Sequence, residues 1–351
     1  MITTVIGAYP KPSFLELPDW FKAERGTDTE RPTEGYTKAI TKMGNETKSI
    51  FLKATKEVID DQIECGIDII TDGEVRRENY IHYHCRHLEG IDFEKITKKM
   101  ARTGNYECWL PTITNKVEAK EPFLVHDWSE TQKLSSRPVK ITIPGPMTIT
   151  DTIANEYYTS DKQLSEDLAQ AINVEIKRLV EVGCKYIQVD EPLFARKPKE
   201  AIEYGIENLE KCFDSISNSD VEKITHICCG YPDKLDAVNY PKAPQESYHQ
   251  IAQLLDNSII DCISIEDAHR YNDLTLFDKY KKTKIIIGLI KIASSIEETE
   301  QETQKRVKDV LEHIDRERLI AAPDCGLGHL PRKLAMKKLK TMVEALDEKR
   351  L

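Results

Sequence analysis

One unit recurs eight times along this chain and constrains its fold more than any other feature. It consists of a short β-branched apolar run, a polar or glycine-containing corner, and an amphipathic helical stretch. The runs are TTVIGAY (3–9), IDIITDGE (67–74), PVKITIPG (138–145), KYIQVDEP (185–192), KITHICCG (223–230), CISIED (262–267), KIIIGLI (284–290) and LIAAPDC (319–325). Between them lie helical patterns such as 165–182, where Leu168, Ile172, Ile176 and Leu179 recur every three to four residues, and 297–313. Strand followed by helix, eight times over, is the sequence form of a TIM (β/α)8 barrel. A length of 351 residues suits one such barrel with insertions, so the chain reads as a single barrel domain over 1–351.

Two segments break the rhythm, one after the first strand and one after the second. The first is 10–34, rich in Pro, Glu and aromatic residues; the second is 90–137. The second contains YECWLPTITNKVEAKEPFLV, whose apolar halves on either side of Asn115 and Lys116 are expected to pair as a hairpin, forming a lid or binding loop. The net charge of −10, with no basic stripe to offset it, argues against a nucleic-acid partner. No segment approaches the roughly 20 apolar residues of a membrane span, and the start MITTVIGAYPKP lacks the cationic region of an export signal. Nine cysteines scattered along the chain do not form a dense disulfide framework. The expectation is a cytoplasmic protein with reduced thiols, some of them on metal.

Functional groups of such barrels gather at the C-terminal ends of the strands, and there this chain places Glu74, Asp190, His226, Cys228, Glu266 and Cys325. Alternation along a strand sends His226 and Cys228 to one side, so an imidazole and a thiolate converge without any loop folding back. Cys325 and Glu266, each at the polar end of an apolar run, complete a set of one nitrogen, two sulfurs and one oxygen. That set suits Zn2+ and is poor for magnesium or calcium. Cys229 should face the other way, and Cys184 and Cys212, in helical contexts, read as core. The IHYHCRH cluster (His82, His84, Cys85, His87) is metal-like in composition but has no strand-end setting, and reads as surface or supporting groups. Taken singly, an acid after a strand can also be a helix cap, as Asp190 before Pro192 could be. A zinc site with a displaceable ligand can hold a substrate thiol as thiolate, which points to alkyl transfer to sulfur.

VIGAYPKP, TDGEVRRENY, IPGPMTI, IQVDEP, HICCGYP, SIEDAHR and PDCGLGHLPR occur in an order and spacing that resemble the catalytic domain of the cobalamin-independent methionine synthase family, in its short single-domain form. The resemblance runs nearly end to end. It implies zinc on His226, Cys228, Glu266 and Cys325, homocysteine as methyl acceptor, and methionine as product. It also implies that Glu74 and Asp190, as the catalytic acids, meet the ammonium group of homocysteine, while the backbone at Ile6, Gly7 and Ala8 cradles the amino acid. Serine is usual where Ala8 stands, so a hydroxyl contact is lost there.

Two departures bear on the methyl donor. The family's long members carry a folate-stacking tryptophan at about the position of Thr152, and a histidine that assists the leaving folate nitrogen at the position of Ala293. An amine leaving group needs a proton in the transition state, whereas a methyl–cobalt bond does not. The resemblance therefore leaves methylcobalamin or another corrinoid beside methyltetrahydrofolate as donor, with the corrinoid favoured. The alternatives are a zinc-dependent alkyltransferase acting on another thiol, of the coenzyme M type, and a non-catalytic zinc-binding barrel. A decarboxylase on the same barrel needs no thiolate metal.

Overall fold

The computed structural model describes residues 1–21, 32–101, 106–217, 221–232, 234–237 and 240–346. In chain order the strands are β1 (Ile2–Thr3), β2 (Ile70–Thr71), β3 (Leu88–Ala101), β4 (Tyr106–Ala119), β5 (Val139–Pro144), β6 (Ala154–Asn155), β7 (Tyr186–Asp190), β8 (Glu222–Ile227), β9 (Cys262–Ile265), β10 (Lys284–Ile290) and β11 (Leu319–Pro323). Eight of them, one from each apolar run, form a parallel sheet in the order β1-β11-β10-β9-β8-β7-β5-β2. A parallel bridge between Thr4 and Ile69 returns β2 to β1 and closes the ring. The expected TIM barrel is the observed fold.

Closure buries both faces of each strand, which is why these runs are apolar nearly throughout. Inward positions Ile6, Ile224, Cys262, Ile286, Ile320 and Ala322 form a small cluster inside the barrel. Their neighbours in sequence point outward: Ile187, Val189, Ile263, Ile265, Ile285 and Ile287 belong to the larger core under the helices. Each such aliphatic side chain contributes about 1.5–3 kcal/mol of burial. The helix expected over 165–182 is Asp161–Glu181; it starts earlier because the Ser160 hydroxyl caps it, accepting from the Gln163 N–H. The helix expected over 297–313 is Glu300–Leu311, set by a capping box between Thr299 and Glu302.

The second insertion does contain a hairpin, but not the expected one. Strands β3 and β4 pair antiparallel from Leu88 opposite Ala119 to Ala101 opposite Tyr106, so the chain reverses between 101 and 106 and not at Asn115 and Lys116. The reason lies at Gly90. Glu89 faces Glu118 and Ile91 faces Ile113, so Gly90, with φ +81°, stands alone opposite 114–117 of β4, and the carbonyls of Asn115 and Lys116 lie where a Cβ on residue 90 would be. The turn-like Asn-Lys pair thus lies within a bulge of β4. The second apolar half, which includes Phe123, leads into the helix Leu124–Leu134 instead of a strand.

The IHYHCRH cluster is also not at the surface. It forms the helix Tyr80–Cys85, capped by Asn79, with His82, His84 and Cys85 buried. The hairpin covers it: Phe93 of β3 meets the His82 ring edge-on. Burial holds the His82 imidazole down at about 4, so it is neutral. In the first insertion the described residues bring Trp20 and Phe21 over the barrel mouth against Tyr231, and the remainder, 22–31, lies outside the described residues. Among the described residues no helix is long and apolar enough to cross a membrane.

One buried ion pair ties the end of β9 to the outer helices. Arg306 donates through Nε to Asp267 Oδ2 at 2.6 Å and through Nη2 to Asp267 Oδ1 at 2.7 Å, with Asp267 fully enclosed. Removing one partner strands a buried charge. Arg306→Ala is therefore expected to cost about 3–5 kcal/mol in urea unfolding, whereas Lys305→Ala, which breaks the exposed pair with Asp309, should change stability by less than about 0.5 kcal/mol. Equal effects would show that the buried pair is not what anchors this corner.

Candidate metal centre and active site

Strand β8 ends with Thr225 and Ile227 turned outward and His226 and Cys228 turned into the barrel mouth. Thr225 confirms the outward face by donating its hydroxyl to the Val189 carbonyl at 2.9 Å. His226 Nε2 lies 3.2 Å from Cys325 Sγ, and the ligand atoms of His226, Cys228 and Cys325 are all within 4.8 Å of one another. Zinc bonds of about 2.0–2.3 Å in tetrahedral array separate ligand atoms by about 3.3–3.8 Å, so one nitrogen and two sulfurs at this spacing fit that ion. The other ring nitrogen, Nδ1, is 2.9 Å from the Ser264 hydroxyl, the outer contact by which a metal-binding imidazole is usually oriented. Glu266 is two residues beyond Ser264 and faces the same way. Its Oε1 accepts from Cys228 Sγ at 2.8 Å and its Oε2 from Lys242 Nζ at 2.8 Å, so it sits beside the triad, on the Cys228 side.

The electrostatics suit a cation. The bond to Cys325, burial, and the charge of Glu266 together push the Cys228 thiol well above its ordinary value. A cation at this point would favour the Cys228 thiolate that burial and Glu266 oppose. Asp324, next to Cys325, fixes the loop that follows Glu266: its carboxylate accepts from the backbone N–H of Asp267, Ala268 and His269 at 2.7–2.8 Å and from His269 Nδ1. That anchor sets the two halves of the ligand group relative to each other. Sequence reasoning passed over it, although an acid adjoining Cys325 in PDCG was a signal.

Glu74 and Asp190 open onto the same cavity, of about 360 Å³, as His226, Cys228 and Cys325. Glu74 takes a left-handed backbone conformation, φ 55°, uncommon for a non-glycine residue and often a mark of a functional site. Its Oε1 accepts from Thr142 Oγ1 at 2.7 Å and from Arg77 Nη1 at 3.4 Å. A methyl group on Gly7 would lie 2.6 Å from that oxygen, so glycine is required for the carboxylate to approach the first strand. Burial raises the pKa of Glu74 against the opposing pull of Arg77. Asp190 is raised to about 7, first by burial and then by the charge of Glu74, with His226 and Gln188 opposing. Two enclosed carboxylates whose charged forms burial opposes suit a bound cation.

Asp190 is not a helix cap. It accepts from Gln188 Nε2 at 2.7 Å, and Gln188 is itself oriented by Lys140 Nζ at 2.5 Å. The helix that follows Asp190, Leu193–Arg196, has no side-chain cap, while the next residue, Glu191, caps a different helix, Pro146–Thr152, by accepting from the N–H of Met147 and Thr148. Cys229 points away from the triad, and Cys184 and Cys212 are buried, as expected. Thr152 lines the cavity; Ala293 is buried and uses its carbonyl to accept from the Asp236 N–H. Sequence reasoning missed the aromatic mouth: Trp20 and Tyr231, with ring centres 5.5 Å apart, and Tyr80. Their partners are remote in sequence, so no local pattern reveals them.

The family described as "Cobalamin-independent synthase, Catalytic domain" matches residues 1–348. The methionine synthase of Saccharolobus solfataricus is 33% identical over 345 residues, covering 97% of this chain and 92% of that protein. The methionine synthase of Sulfolobus acidocaldarius is 31% identical over 344 residues, covering 97% and 90%. Among solved structures, a B12-independent methionine synthase from Shewanella sp. W3-18-1 in complex with selenomethionine superposes with a TM-score of 0.83 at 27% identity, covering 98% of this chain and 96% of that one. A Listeria monocytogenes structure at 19% identity, TM-score 0.70 and 98% coverage of both chains, shares the fold.

The column beneath Asp190 makes a pH-dependent prediction. Burial lowers the pKa of Lys140 to about 8, against the pull of Asp190. The folded chain then binds fewer protons at this amine than the unfolded chain does, so Lys140 is destabilising below about pH 8, by on the order of 3 kcal/mol, and that penalty lifts as pH rises toward 10.4. Measured in urea from pH 8 to 10, the stability of wild type should gain on that of Lys140→Met. A constant difference would contradict the enclosed, depressed amine.

Proposed function

This chain belongs to the cobalamin-independent methionine synthase family, and on that premise we propose that it is a zinc-dependent methyltransferase that converts homocysteine to methionine. The observation that carries the reading is the convergence of His226, Cys228 and Cys325 on one wall of a cavity whose other wall holds Glu74 and Asp190. The first group suits a thiol, the second an ammonium group, and homocysteine carries both.

His226, Cys228 and Cys325 would hold the ion, with Glu266 as the displaceable fourth ligand. Zinc there would supply acidity, drawing a substrate thiol from its ordinary pKa of about 8.5 to a thiolate at neutral pH. The chain's own residues do the positioning. Glu74 and Asp190 take the ammonium group between them, and ion pairing returns both carboxylates to the charged form that burial opposes. Backbone at Ile6, Gly7 and Ala8 lies on the cavity wall and cradles the rest of the amino acid. In the transfer, a carbon–sulfur bond forms as the bond between methyl and donor breaks; the donor keeps that electron pair and the thiol proton passes to water. A sulfonate thiol of the coenzyme M type would face two carboxylates, which counts against that acceptor.

The donor read here is a methylated corrinoid rather than methyltetrahydrofolate. Ala293 offers no proton to an amine leaving group, and Thr152 on the cavity wall offers no stacking plane. The hairpin within 90–137 serves as a lid, since Lys99, Met100 and Leu110 border the cavity. The single barrel of 1–351 is the working unit. The cysteines described are free thiols, as a cytoplasmic zinc–thiolate enzyme requires.

The test is to offer the purified protein homocysteine with methylcobalamin and, separately, with methyltetrahydrofolate, and to quantify methionine. Methionine from the corrinoid is the expected result; methionine only from the folate would overturn the donor, and none from either would overturn the reaction. Elemental analysis should find about one zinc ion per chain, lost in Cys228→Ser/Cys325→Ser; unchanged zinc in that variant would remove the basis of the mechanism. Glu74→Gln, by taking away one charge-assisted contact, should raise KM for homocysteine roughly tenfold to a hundredfold.

A further inference from the structure

Arg196 ends the short helix Leu193–Arg196 that follows β7, and its side chain borders the cavity. Its Nε is buried without a hydrogen-bond partner, and among the described residues its guanidinium joins no ion pair. Among the described residues nothing satisfies that nitrogen. Asp151, a carboxylate that also borders the cavity, is engaged by Lys197. Arg196 therefore brings an unsatisfied donor to a cavity that also holds the acids Glu74 and Asp190. A guanidinium presents a planar fork that matches a carboxylate or phosphate with two parallel bonds, and partial burial strengthens that contact.

We propose that Arg196 binds an anionic group, a carboxylate or a phosphodiester, on the methyl donor. The proposal rests on the methyl-transfer reading above and names a property of the donor that the reading leaves open. The amino-acid end of homocysteine is already accounted for. Its sulfur and ammonium are placed on the floor, and the charges that chiefly act on Glu74 and Asp190 are Arg77, Asp72, Lys11, His226 and Lys140, not Arg196. The charge of Arg196 is felt instead at Tyr80, in the aromatic mouth. Apolar Met100 and Leu110 border the cavity too, so the donor's body meets an apolar wall and its anion meets Arg196.

The experiment uses the zinc-loaded enzyme and donor pairs that differ in anionic groups. Methylcobalamin carries a phosphodiester that methylcobinamide lacks, and methyltetrahydrofolate with three glutamates carries more carboxylates than with one. Arg196→Gln should raise KM for the more anionic donor of the responding pair roughly tenfold to a hundredfold, leave KM for homocysteine within about twofold, and abolish the preference over its less anionic counterpart. Arg196→Lys should recover part of the loss. Which donor pair responds tells phosphate from carboxylate. A rise confined to homocysteine, or no change with any donor, would overturn the proposal. If wild type makes no methionine at all, the methyl-transfer reading fails separately. Equilibrium dialysis of hydroxocobalamin and of tetrahydrofolate triglutamate then decides the site without turnover, since weaker binding to Arg196→Gln supports it and equal binding removes it.

Discussion

The two-residue step from His226 to Cys228 is the constraint on which the site depends. Alternation along a parallel strand turns both side chains to the barrel axis, and neither requires a special loop. The step alone yields two donor atoms, however. A third comes from Cys325 because closure of the sheet brings β11 to the same mouth, and Glu266 arrives one strand away on β9. Asp324 then anchors the loop after Glu266 through three backbone bonds, so the two distant segments cannot drift apart. Site and barrel share these contacts: loosening either would loosen the other.

Around that centre the barrel interior mixes two kinds of group. Ile6, Ile224, Cys262, Ile286 and Ile320 form an apolar cluster. Beside it runs a chain of buried polar groups: Lys140 orients Gln188, and Gln188 bonds both Asp190 and the carbonyl of Ile6. Enclosing these groups is costly and each bond offsets only part of it. The remaining deficit falls on Glu74 and Asp190, whose charged forms the protein alone does not fully satisfy. A bound cation would supply what is missing, which links the electrostatics of the site to the ammonium group of the substrate proposed for it.

Much of this was legible beforehand. The eight apolar runs became the eight barrel strands, and His226, Cys228 and Cys325 came together as their strand-end positions implied. Elsewhere the local signal misled. Asn115–Lys116 resembles a turn but lies in a bulge of β4 opposite Gly90. The histidines of IHYHCRH look polar in sequence, yet the hairpin encloses His82 and His84 and burial keeps them neutral. Capping, weighed for Asp190, does not occur there; Asp190 faces the cavity, and its neighbour Glu191, on the other face, caps the helix Pro146–Thr152. Trp20, Tyr231 and Arg196 carried no local mark at all.

By itself the sequence determined the barrel, the inward direction of the strand-end donor groups and the type of metal such a set would suit. Each of these follows from short-range periodicity and from donor chemistry, which are written residue by residue. Only the tertiary structure decided where the hairpin reverses, which acid caps a helix, what borders the cavity mouth, and that Arg196 Nε is buried without a partner among the described residues. Those outcomes depend on segments far apart in the chain packing against one another, and pairwise contact across such distances leaves no periodic trace in a single sequence.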